Sequence, residues 1–587
     1  MEIHNSNFLK NEKIWMLLIV LLYFSLILPQ IQKPFVMDEI DFPEAANAIN
    51  TKGVPMYYSG EGDENHLGLW HPPLYIYVLA LSFRLFGVSE ASARLVSVLF
   101  SLGTLFLIYY ITKEIFYERK DKEYINKNCL CAKCRYISLL SCFLYVINPF
   151  VIQNSLLIDI DNSILTFLLT LFIFAFVKTI KTKNSNNLLL LGLLFGLSLW
   201  SKFGTSPALI ISIFAFYVLN KGIKSGVMHT VIIFVIGIIF FLTTWGILSE
   251  VTGMPFAQPF MHNIKLLSEG ASSSIIHYIA STLWGAKTIF FWTTPFMGFL
   301  IIMALLKRLK KYLMLNEFTI TDFLLVYGLL VFIEYTAIRP SAYGFPKYYG
   351  PMMPAFSIVV ASYVYECCIH NFTRNKTNDL LIYGTVLIIS ILYFLFVLGD
   401  PFIIDTNLDK YQIVGKTTTI FVLYIIPLGI ALVCLRIFTQ EHKISKLFVL
   451  YLTILLISAS LSLSYLQSQA NYSTAYLYGQ TGMQETIDYI LTHTTSNDTI
   501  ISPKDLAYYT KNPFYETNAH LLNNPERFYK IIYERNIPYI VMRSKGAYII
   551  SYYPHILGII NSDYSLVAKF GYFNIYKQKN MGVKDVE

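Results

Sequence analysis

The amino-acid sequence predicts an α-helical polytopic membrane protein with a small α/β domain after its last membrane span. Of its 587 residues, 55% are hydrophobic and only 14% are charged, whereas a soluble domain carries about 25% charged residues. The apolar residues form stretches of about 20, the length that a helix needs to cross the hydrocarbon core of a bilayer. This composition excludes a disordered chain, a coiled coil and a water-soluble enzyme of the ordinary kind.

The apolar stretches predict about 13 transmembrane helices, because lipid offers no hydrogen-bond partner to a non-helical backbone. The first stretch lacks the small-residue cleavage site of a signal peptide, so we expect it to be retained. The predicted spans lie near residues 14–31, 92–112, 136–153, 163–180, 187–201, 208–220, 230–248, 284–306, 322–338, 351–369, 380–398, 419–438 and 447–466.

Basic residues predict the orientation of these spans. With a cytoplasmic N-terminus, the inner segments carry roughly twice as many Lys and Arg residues as the outer loops, and such an excess marks the cytoplasmic side. The densest basic cluster lies in residues 113–135. This topology predicts a transmembrane domain over residues 1–469 and an extracytoplasmic domain over residues 470–587. The basic residues follow membrane topology and do not indicate a nucleic-acid partner.

The extracytoplasmic segment 470–587 differs in kind from the rest. Helical patterns alternate there with short apolar runs that are typical of strands. The predicted helices are Met483–Leu491 and Pro525–Tyr533, and the predicted strands are Thr499–Ser502, Pro538–Met542, Ser565–Phe570 and Tyr572–Tyr576. A small α/β domain fits this alternation.

The first outer loop, residues 32–93, is far longer than a simple connection. Apolar residues at helical spacing predict a helix that starts near residue 42 and ends at Gly53. Asp41 and Glu44 have the spacing of a capping box. We therefore expect Asp41 to act as the N-cap of this helix.

Asp38 and Glu39 lie directly after the first span and are not needed as caps. They are either carboxylates that are simply solvated at the membrane surface or groups that are used in chemistry. A carboxylate with a pKa near 4 is ionised at neutral pH and can accept a proton.

The second half of the first outer loop contains His71, followed by two prolines that suit a helix start. The apolar pattern predicts a helix over Leu74–Phe86 that ends at Gly87. Ser89 is expected to cap the next span. Arg94 lies in the first turns of that span, where a basic side chain commonly reaches toward the lipid headgroups.

Other charged residues lie at the mouths of the predicted spans on the same outer face. Charges flanked by apolar residues are costly at such places unless they are paired or used. Carboxylates and cations at one membrane face suit a site that deprotonates a hydroxyl and neutralises a lipid phosphate. These residues are Asp159, Asp161, Lys202, Arg339 and Lys347, and the neutral Tyr348 directly follows Lys347.

In their order and spacing, these motifs resemble the membrane glycosyltransferases of the GT-C fold that use polyprenyl-phosphate sugars. This group includes protein O-mannosyltransferases and the lipid A aminoarabinose transferase. The resemblance covers roughly residues 10–370. It rests on Asp38-Glu39 after the first span, His71-Pro72-Pro73-Leu74-Tyr75, Ala93-Arg94-Leu95, Asp161 before Leu165-Thr166, Lys202 after Gly196-Leu197, and Lys347-Tyr348 followed by Pro351 and Pro354.

The resemblance implies a role for each candidate residue. Asp38 would be the general base, with Glu39 beside it in the catalytic pair. Lys347 stands where the family usually has Arg, so a point charge replaces a bidentate fork. The residues implied to bind or position substrate are His71, Arg94, Asp161, Lys202, Arg339, Lys347 and Tyr348.

The sequence leaves the cofactor, the acceptor and the rival functions open. A divalent cation, if one is bound, would be held by Asp38, Glu39 and Asp161. The acceptor is a glycan, a lipid or a protein. The alternatives are a multi-span polysaccharide polymerase or ligase, and a lipid or polysaccharide transporter of the flippase type. Charges clustered at one face favour the transferase, because transporters place their charges near the bilayer midplane.

Overall fold

The computed structural model describes most of the chain. The described residues are 11–35, 37–61, 66–116, 127–160, 163–182, 187–269, 274–292, 295–338, 346–367, 387–388, 390–392, 419, 443–469, 482–544 and 550–579.

The part of the chain before residue 470 is almost entirely helical where it is described. Three 3₁₀ turns, Leu28–Gln30, Met37–Ile40 and Pro346–Met352, and a π turn, Glu334–Ile338, interrupt or connect the α-helices in this described part. A short hairpin pairs β1 (Met56–Tyr57) with β2 (His66–Leu67). The helices are α1 (Glu12–Ile27), α2 (Asp41–Lys52), α3 (Leu74–Phe86), α4 (Glu90–Phe116), α5 (Lys127–Val146), α6 (Pro149–Leu156), α7 (Ser163–Thr182), α8 (Asn187–Ser201), α9 (Ser206–Lys221), α10 (Ile223–Thr252), α11 (Gln258–Glu269), α12 (Ile275–Trp292), α13 (Pro295–Leu315), α14 (Ile320–Ile333), α15 (Met353–Cys367) and α16 (Lys443–Gln469).

Within the described residues, 6 helices are long and apolar enough to cross a membrane, and a bent pair brings the number up to 7. Helices α3, α8 and α9 are apolar but shorter. The chain is therefore a multi-pass membrane protein, as the sequence predicts. The predicted spans 380–398 and 419–438 lie largely outside the described residues, so the count of about 13 spans stays a prediction.

Two predicted spans fall on pairs of helices. The span predicted at 136–153 covers α5 and α6, which are bent by 62°. A new helix starts there because Pro149 takes its first position and Asn148 caps it, accepting a hydrogen bond from the Phe150 N–H at 2.9 Å. The span predicted at 284–306 falls on α12 and α13, which begins at Pro295. Apolar content alone does not reveal such restarts.

The helices of the first outer loop end as the sequence predicts. Gly53 and Gly87 both have a φ of 81°, a left-handed conformation that glycine adopts without strain. The Gly53 N–H donates to the Ile49 carbonyl at 3.0 Å. Ser89 caps α4, because its Oγ accepts a hydrogen bond from the Ser92 N–H at 3.2 Å.

The prediction that Asp41 is the N-cap of α2 is wrong. The 3₁₀ turn Met37–Ile40 runs directly into α2, so Asp41 is already a helical residue. Its carboxylate pairs with Lys504 of the C-terminal segment. The capping-box spacing is real in sequence, but a partner 463 residues away takes the side chain.

The C-terminal segment forms a five-stranded mixed sheet flanked by helices. The strand order is β4-β3-β5-β7-β6, in which β3 is parallel to β4 and β5, while β7 is antiparallel to β5 and β6. The helices and strands expected there are confirmed. Their bounds are α17 (Met483–His493), β3 (Ile500–Ser502), α18 (Lys504–Thr510), β4 (Phe514–Glu516), α19 (Ala519–Leu522), α20 (Pro525–Arg535), β5 (Tyr539–Arg543), α21 (Pro554–Asp563), β6 (Tyr564–Phe570) and β7 (Phe573–Gln578).

A buried cluster fixes the first outer loop against the membrane helices. Phe35, just before the 37–40 turn, and Ile40, its last residue, are 1% and 0% exposed. They pack in one cluster with Tyr75 of α3, Val96 of α4 and Ile158. Burial of such side chains stabilises the contact by roughly 1.5–3 kcal/mol each. The turn that carries Asp38 and Glu39 thus packs against the N-terminal ends of α3 and α4.

Candidate active site

Glu39 forms a buried ion pair with Arg94. Nη2 of Arg94 lies 3.3 Å from Oε2 of Glu39, and Arg94 is only 4% exposed. The guanidinium therefore does not reach toward the headgroups, because a carboxylate and backbone oxygens satisfy it inside the protein. It also donates to the carbonyl oxygens of Ile31, Lys33, Pro34 and Leu156.

The same carboxylate connects the first and second outer loops. Oε1 of Glu39 accepts a hydrogen bond from the Ile158 N–H at 3.4 Å. Asp159, the next residue, is 4% exposed. Asp38 lies in the 37–40 turn with a side chain outside the described part, and Asp161 lies outside the described residues altogether. The structure thus brings the segments that carry the predicted carboxylates into contact through Glu39.

Lys202 directly follows α8 and is 2% exposed. Its Nζ lies 4.4 Å from the ring centroid of Tyr348 and 5.3 Å from that of Tyr335. The two rings stack with centroids 5.1 Å apart, and the Tyr335 hydroxyl lies 2.6 Å from Oγ1 of Thr205. Aromatic faces stabilise a desolvated ammonium group by cation–π attraction. The structure therefore brings Lys202 and Tyr348 together.

The two remaining predicted cations are not placed by the structure. Lys347 lies in the Pro346–Met352 turn next to Tyr348, but its side chain is not among the described ones. Arg339 lies outside the described residues.

His71 lies beside α11 and beside Phe203, the residue that follows Lys202. Its Nδ1 lies 3.3 Å from Nδ2 of Asn263 on α11. Its ring meets Phe203, the residue after Lys202, with centroids 6.5 Å apart. His262 lies on the other side, with ring centroids 6.2 Å apart. Nothing in the sequence spacing indicates Asn263 as a partner of His71, because the contact depends on how α11 folds back.

A group of buried polar side chains lies under the Pro346–Met352 turn. Nδ2 of Asn154 and Oγ1 of Thr166 lie 2.2 and 3.2 Å from the position that a Cβ would take at Gly350. Gln153 precedes Asn154 in sequence, and Tyr349 precedes Gly350. Each of these four polar residues is at most 5% exposed. Their side-chain polar atoms have no hydrogen-bond partner in the part of the chain that the structure describes. Because buried polar groups are normally paired, this group is suited to a polar ligand.

Sequence reasoning missed this group as a set. The signal was available, since polar Gln153 and Asn154 stand in an otherwise apolar stretch. Their approach to Thr166 and Gly350 is a tertiary contact that no spacing reveals.

An apolar cavity of about 380 Å³ lies between α12, α13, α14 and α15. Phe332 lines it and also packs against Tyr349, with ring centroids 6.2 Å apart. Met352, at the end of the Pro346–Met352 turn, lines it as well. Tyr349 in turn packs against Tyr335, with ring centroids 5.9 Å apart, and Tyr335 contacts Lys202, so a chain of aromatic contacts connects the cavity wall to Lys202.

The described residues hold no group of three His, Cys, Asp or Glu side chains that could bind a metal. Two of the three candidate ligands, Asp38 and Asp161, fall outside the described side chains. A divalent cation therefore stays a prediction.

Glu44 lies where α2 meets the C-terminal segment. Burial raises the pKa of this carboxyl from 4.5 to about 7, against the opposing effects of the Tyr58 N–H and of Lys511. The Tyr58 N–H donates to its Oε2 at 3.2 Å. Glu516 adds to the rise by like-charge repulsion. This contact is consequently sensitive to pH near neutrality.

Comparison with known sequences finds two local matches. The family model for dolichyl-phosphate-mannose-protein mannosyltransferases matches residues 70–121, a segment that includes His71, α3 and Arg94. An uncharacterized protein of Aquifex aeolicus is 54% identical over 41 residues. That match covers 7% of this chain and spans only 10% of the relative's length.

Comparison with solved structures finds matches along the whole chain. ArnT from Cupriavidus metallidurans bound to undecaprenyl phosphate matches with a TM-score of 0.58 at 12% identity, over 97% of this chain and 98% of that one. The apo form of the same protein matches with a TM-score of 0.56 at 13% identity, over 96% and 97% of the two chains. These likenesses show a common fold and confirm the resemblance seen in the motifs. The chain therefore shares the fold of ArnT, and residues 70–121 are similar to the dolichyl-phosphate-mannose-protein mannosyltransferases.

Proposed function

We propose that this protein transfers a sugar from a polyprenyl-phosphate donor to an acceptor on the outer face of the membrane. The observation that carries the proposal is the buried ammonium of Lys202, which the rings of Tyr335 and Tyr349 connect to the wall of an apolar cavity. A polyprenyl phosphate has the matching chemistry, with one anionic head and a long apolar tail. The matching ArnT structure has undecaprenyl phosphate bound, which supports the same donor class.

The head of the donor would lie at Lys202. An ammonium at the edge of the bilayer makes charge-assisted hydrogen bonds to phosphate oxygens and neutralises the leaving group. Tyr335 and Tyr348 cover its sides and exclude water, which strengthens the attraction. Lys347, the neighbour of Tyr348 in sequence, would supply a second positive charge.

The sugar would occupy the polar group of Gln153, Asn154, Thr166 and Tyr349. Amide and hydroxyl groups are the usual partners of sugar hydroxyls, because they both donate and accept. These groups lie buried without a hydrogen-bond partner among the residues that the structure describes, so a ligand that pairs with them removes a desolvation cost.

Asp38 would act as the general base. The acceptor hydroxyl oxygen bonds to the anomeric carbon, the bond from that carbon to the phosphate oxygen breaks, and polyprenyl phosphate leaves with the electron pair. Asp38 takes the hydroxyl proton as this happens, while the cations neutralise the phosphate. Glu39 is engaged by Arg94 and by the Ile158 N–H, so it would hold the turn that presents Asp38.

The outer-face location rests on the basic residues of the loops. Their excess on the opposite side predicts a cytoplasmic N-terminus and an extracytoplasmic C-terminal domain over residues 470–587. All candidate site residues then share the outer face. The acceptor class, whether protein, lipid or glycan, is set by loops that face this side.

The proposal is tested with the purified full chain in liposomes and a membrane extract as the source of acceptor. Labelled polyprenyl-phosphate sugar should be consumed with release of polyprenyl phosphate and labelling of the acceptor. A nucleotide sugar should not be used. Transfer from a nucleotide sugar without lipid carrier would overturn the proposal, and movement of intact lipid across the bilayer without cleavage would favour a transporter.

Lys202→Met serves as the diagnostic variant in that assay, since it removes the charge and keeps the length of the side chain. Loss of a charge-assisted hydrogen bond should raise the KM for the donor by about 10- to 100-fold. Lys221→Met is the matched control, because Lys221 also lies over a tyrosine ring, at 5.3 Å, but at the exposed opposite end of α9. Equal KM values for both variants would contradict the placement of the phosphate.

A further inference from the structure

Helix α18 of the C-terminal segment lies against the 37–40 turn that carries Asp38 and Glu39. It contacts the chain on both sides of this turn. On one side, the Phe35 N–H donates to the Tyr509 hydroxyl oxygen at 2.7 Å. On the other side, the Asp41 carboxylate pairs with Lys504.

The Tyr509 hydroxyl connects the turn to a membrane helix. While its oxygen accepts from Phe35, its O–H donates to Oε1 of Glu90 at 2.7 Å. Glu90 is the first residue of α4, one turn before Arg94, which holds Glu39. Tyr508 adds an edge-to-face contact with the ring of Phe35, with centroids 5.9 Å apart. The hydroxyl therefore fixes the turn relative to α4.

Lys504 is buried between a carboxylate and an aromatic ring. It is 5% exposed, and its Nζ lies 4.3 Å from the ring centroid of Tyr57 in the outer-loop hairpin. A buried ammonium with a carboxylate on one side and an aromatic face on the other has one favoured position. The Tyr57 ring thereby fixes the direction from which the Lys504 ammonium approaches Asp41.

Helix α18 is itself anchored in the sheet of the C-terminal segment. Asp505, next to Lys504, is 0% exposed and pairs with Arg543 at the end of β5. Arg543 also lies 4.8 Å from the ring centroid of Phe573 on β7. The two ends of the 37–40 turn are therefore attached, through α18, to a folded sheet.

We propose that Lys504 and Tyr509 are positioning residues that hold both ends of the 37–40 turn, so that the C-terminal domain sets the geometry of Asp38. This inference deepens the proposed function and rests on it for the role of Asp38. Catalytic groups must keep near-attack geometry, and a misplacement of about 1 Å costs about 10²-fold in rate. The C-terminal domain then contributes to the rate of sugar transfer by positioning Asp38.

The experiment compares Lys504→Met and Tyr509→Phe with matched controls in the full chain. Lys569→Met and Tyr552→Phe change exposed side chains of the same segment and should behave as wild type. Two quantities are measured, namely amide hydrogen exchange of residues 35–41 and the kinetics of sugar transfer. In both test variants we expect faster exchange in 35–41 and a kcat about 10- to 100-fold lower, with the KM for the lipid donor within about twofold of wild type.

The charge exchange Asp41→Lys with Lys504→Asp should restore slow exchange and part of the lost kcat. Unchanged exchange of residues 35–41 in both single variants would overturn the inference, whatever the activity. So would a loss of activity through a higher KM alone. Wild-type protein that uses no lipid-linked sugar would instead overturn the proposed function, while the exchange measurement would still decide whether α18 holds the turn.

Discussion

The backbone N–H of Ile158 lies 3.4 Å from Oε1 of Glu39, a residue 119 positions earlier in the chain. This hydrogen bond joins the first two outer loops, both of which carry candidate carboxylates. The other oxygen of Glu39 pairs with Arg94, which itself donates to the carbonyls of Ile31 and Leu156. The two side chains together connect the segment after α1, the start of α4 and the end of α6. The acidic pair after the first span therefore divides into a structural member, Glu39, and a proposed catalytic member, Asp38.

The Glu39–Arg94 pair leads to a stability prediction. Arg94→Met leaves a buried carboxylate without its cation and several carbonyls without their donor, so we expect a loss of about 3–5 kcal/mol in the free energy of unfolding. Glu39→Gln keeps an acceptor oxygen and should cost about 1–2 kcal/mol. Unfolding of the purified protein in detergent measures both.

The double variant Arg94→Met with Glu39→Gln tests whether the two effects are coupled. Because the second change removes the uncompensated charge that the first creates, the double variant should be clearly more stable than the sum of the single losses predicts. Strict additivity would mean that the 3.3 Å contact carries no interaction energy.

A substitution of Asn154 tests whether the buried polar group at Gly350 binds a ligand or only stabilises the fold. Its amide is buried without a partner among the described residues, so Asn154→Leu should leave the melting temperature unchanged or raise it. The same change should lower kcat/KM for the lipid-linked sugar by roughly 3- to 10-fold or more, through the lost hydrogen bond to the sugar.

Asn148 provides the contrasting control in the same segment. It caps α6, so Asn148→Ala should cost about 1 kcal/mol of stability and change donor use little. A lower melting temperature for Asn154→Leu together with normal transfer would place Asn154 in the scaffold and not in the sugar site.

Glu44 predicts a pH-dependent stability. Its pKa is raised from 4.5 to about 7 in the folded protein, so the protonated form is the favoured one there. The resulting stabilisation is fully present below about pH 4.5 and is lost as the pH rises through 7. Glu44→Gln, which stays neutral, should therefore be more stable than wild type at pH 8, by about 1–3 kcal/mol, and similar to it at pH 4.5.

Melting temperatures from pH 4.5 to 8 check this sign. Glu526→Gln changes an exposed carboxyl on α20 and should keep the wild-type profile. Parallel profiles for wild type and Glu44→Gln would show that Glu44 does not titrate in this range.

Local features of the fold were predictable because backbone conformation and hydrogen bonds between residues close in sequence determine them. Gly53 and Gly87 end their helices with a φ that glycine alone adopts easily, and Ser89 caps α4 through a contact three residues away. Four of the five strands of the C-terminal segment likewise follow from short apolar runs between turn residues, whereas β4 was not predicted.

Long-range partners were not predictable in the same way. Asp41 has the sequence pattern of a cap, yet it pairs with Lys504, and only the docking of the C-terminal segment brings these two together. Arg94 at a span end is typical of a headgroup contact, but backbone carbonyls around 60 residues away in both directions satisfy it inside the protein. Such choices depend on tertiary packing, which a single sequence does not encode in its spacing.

Asp38→Asn tests the central claim most directly, because it keeps the size and polarity of the side chain and removes its ability to take a proton. The measurement is sugar transfer from a polyprenyl-phosphate donor per correctly folded molecule in liposomes, with Glu39→Gln and Asp161→Asn measured alongside. The account predicts that Asp38→Asn lowers the rate by roughly 10²–10⁴-fold with an unchanged melting temperature, and that Glu39→Gln lowers it less. Near-normal turnover of Asp38→Asn, together with loss of turnover in Asp161→Asn, would contradict it and place the base in the second outer loop.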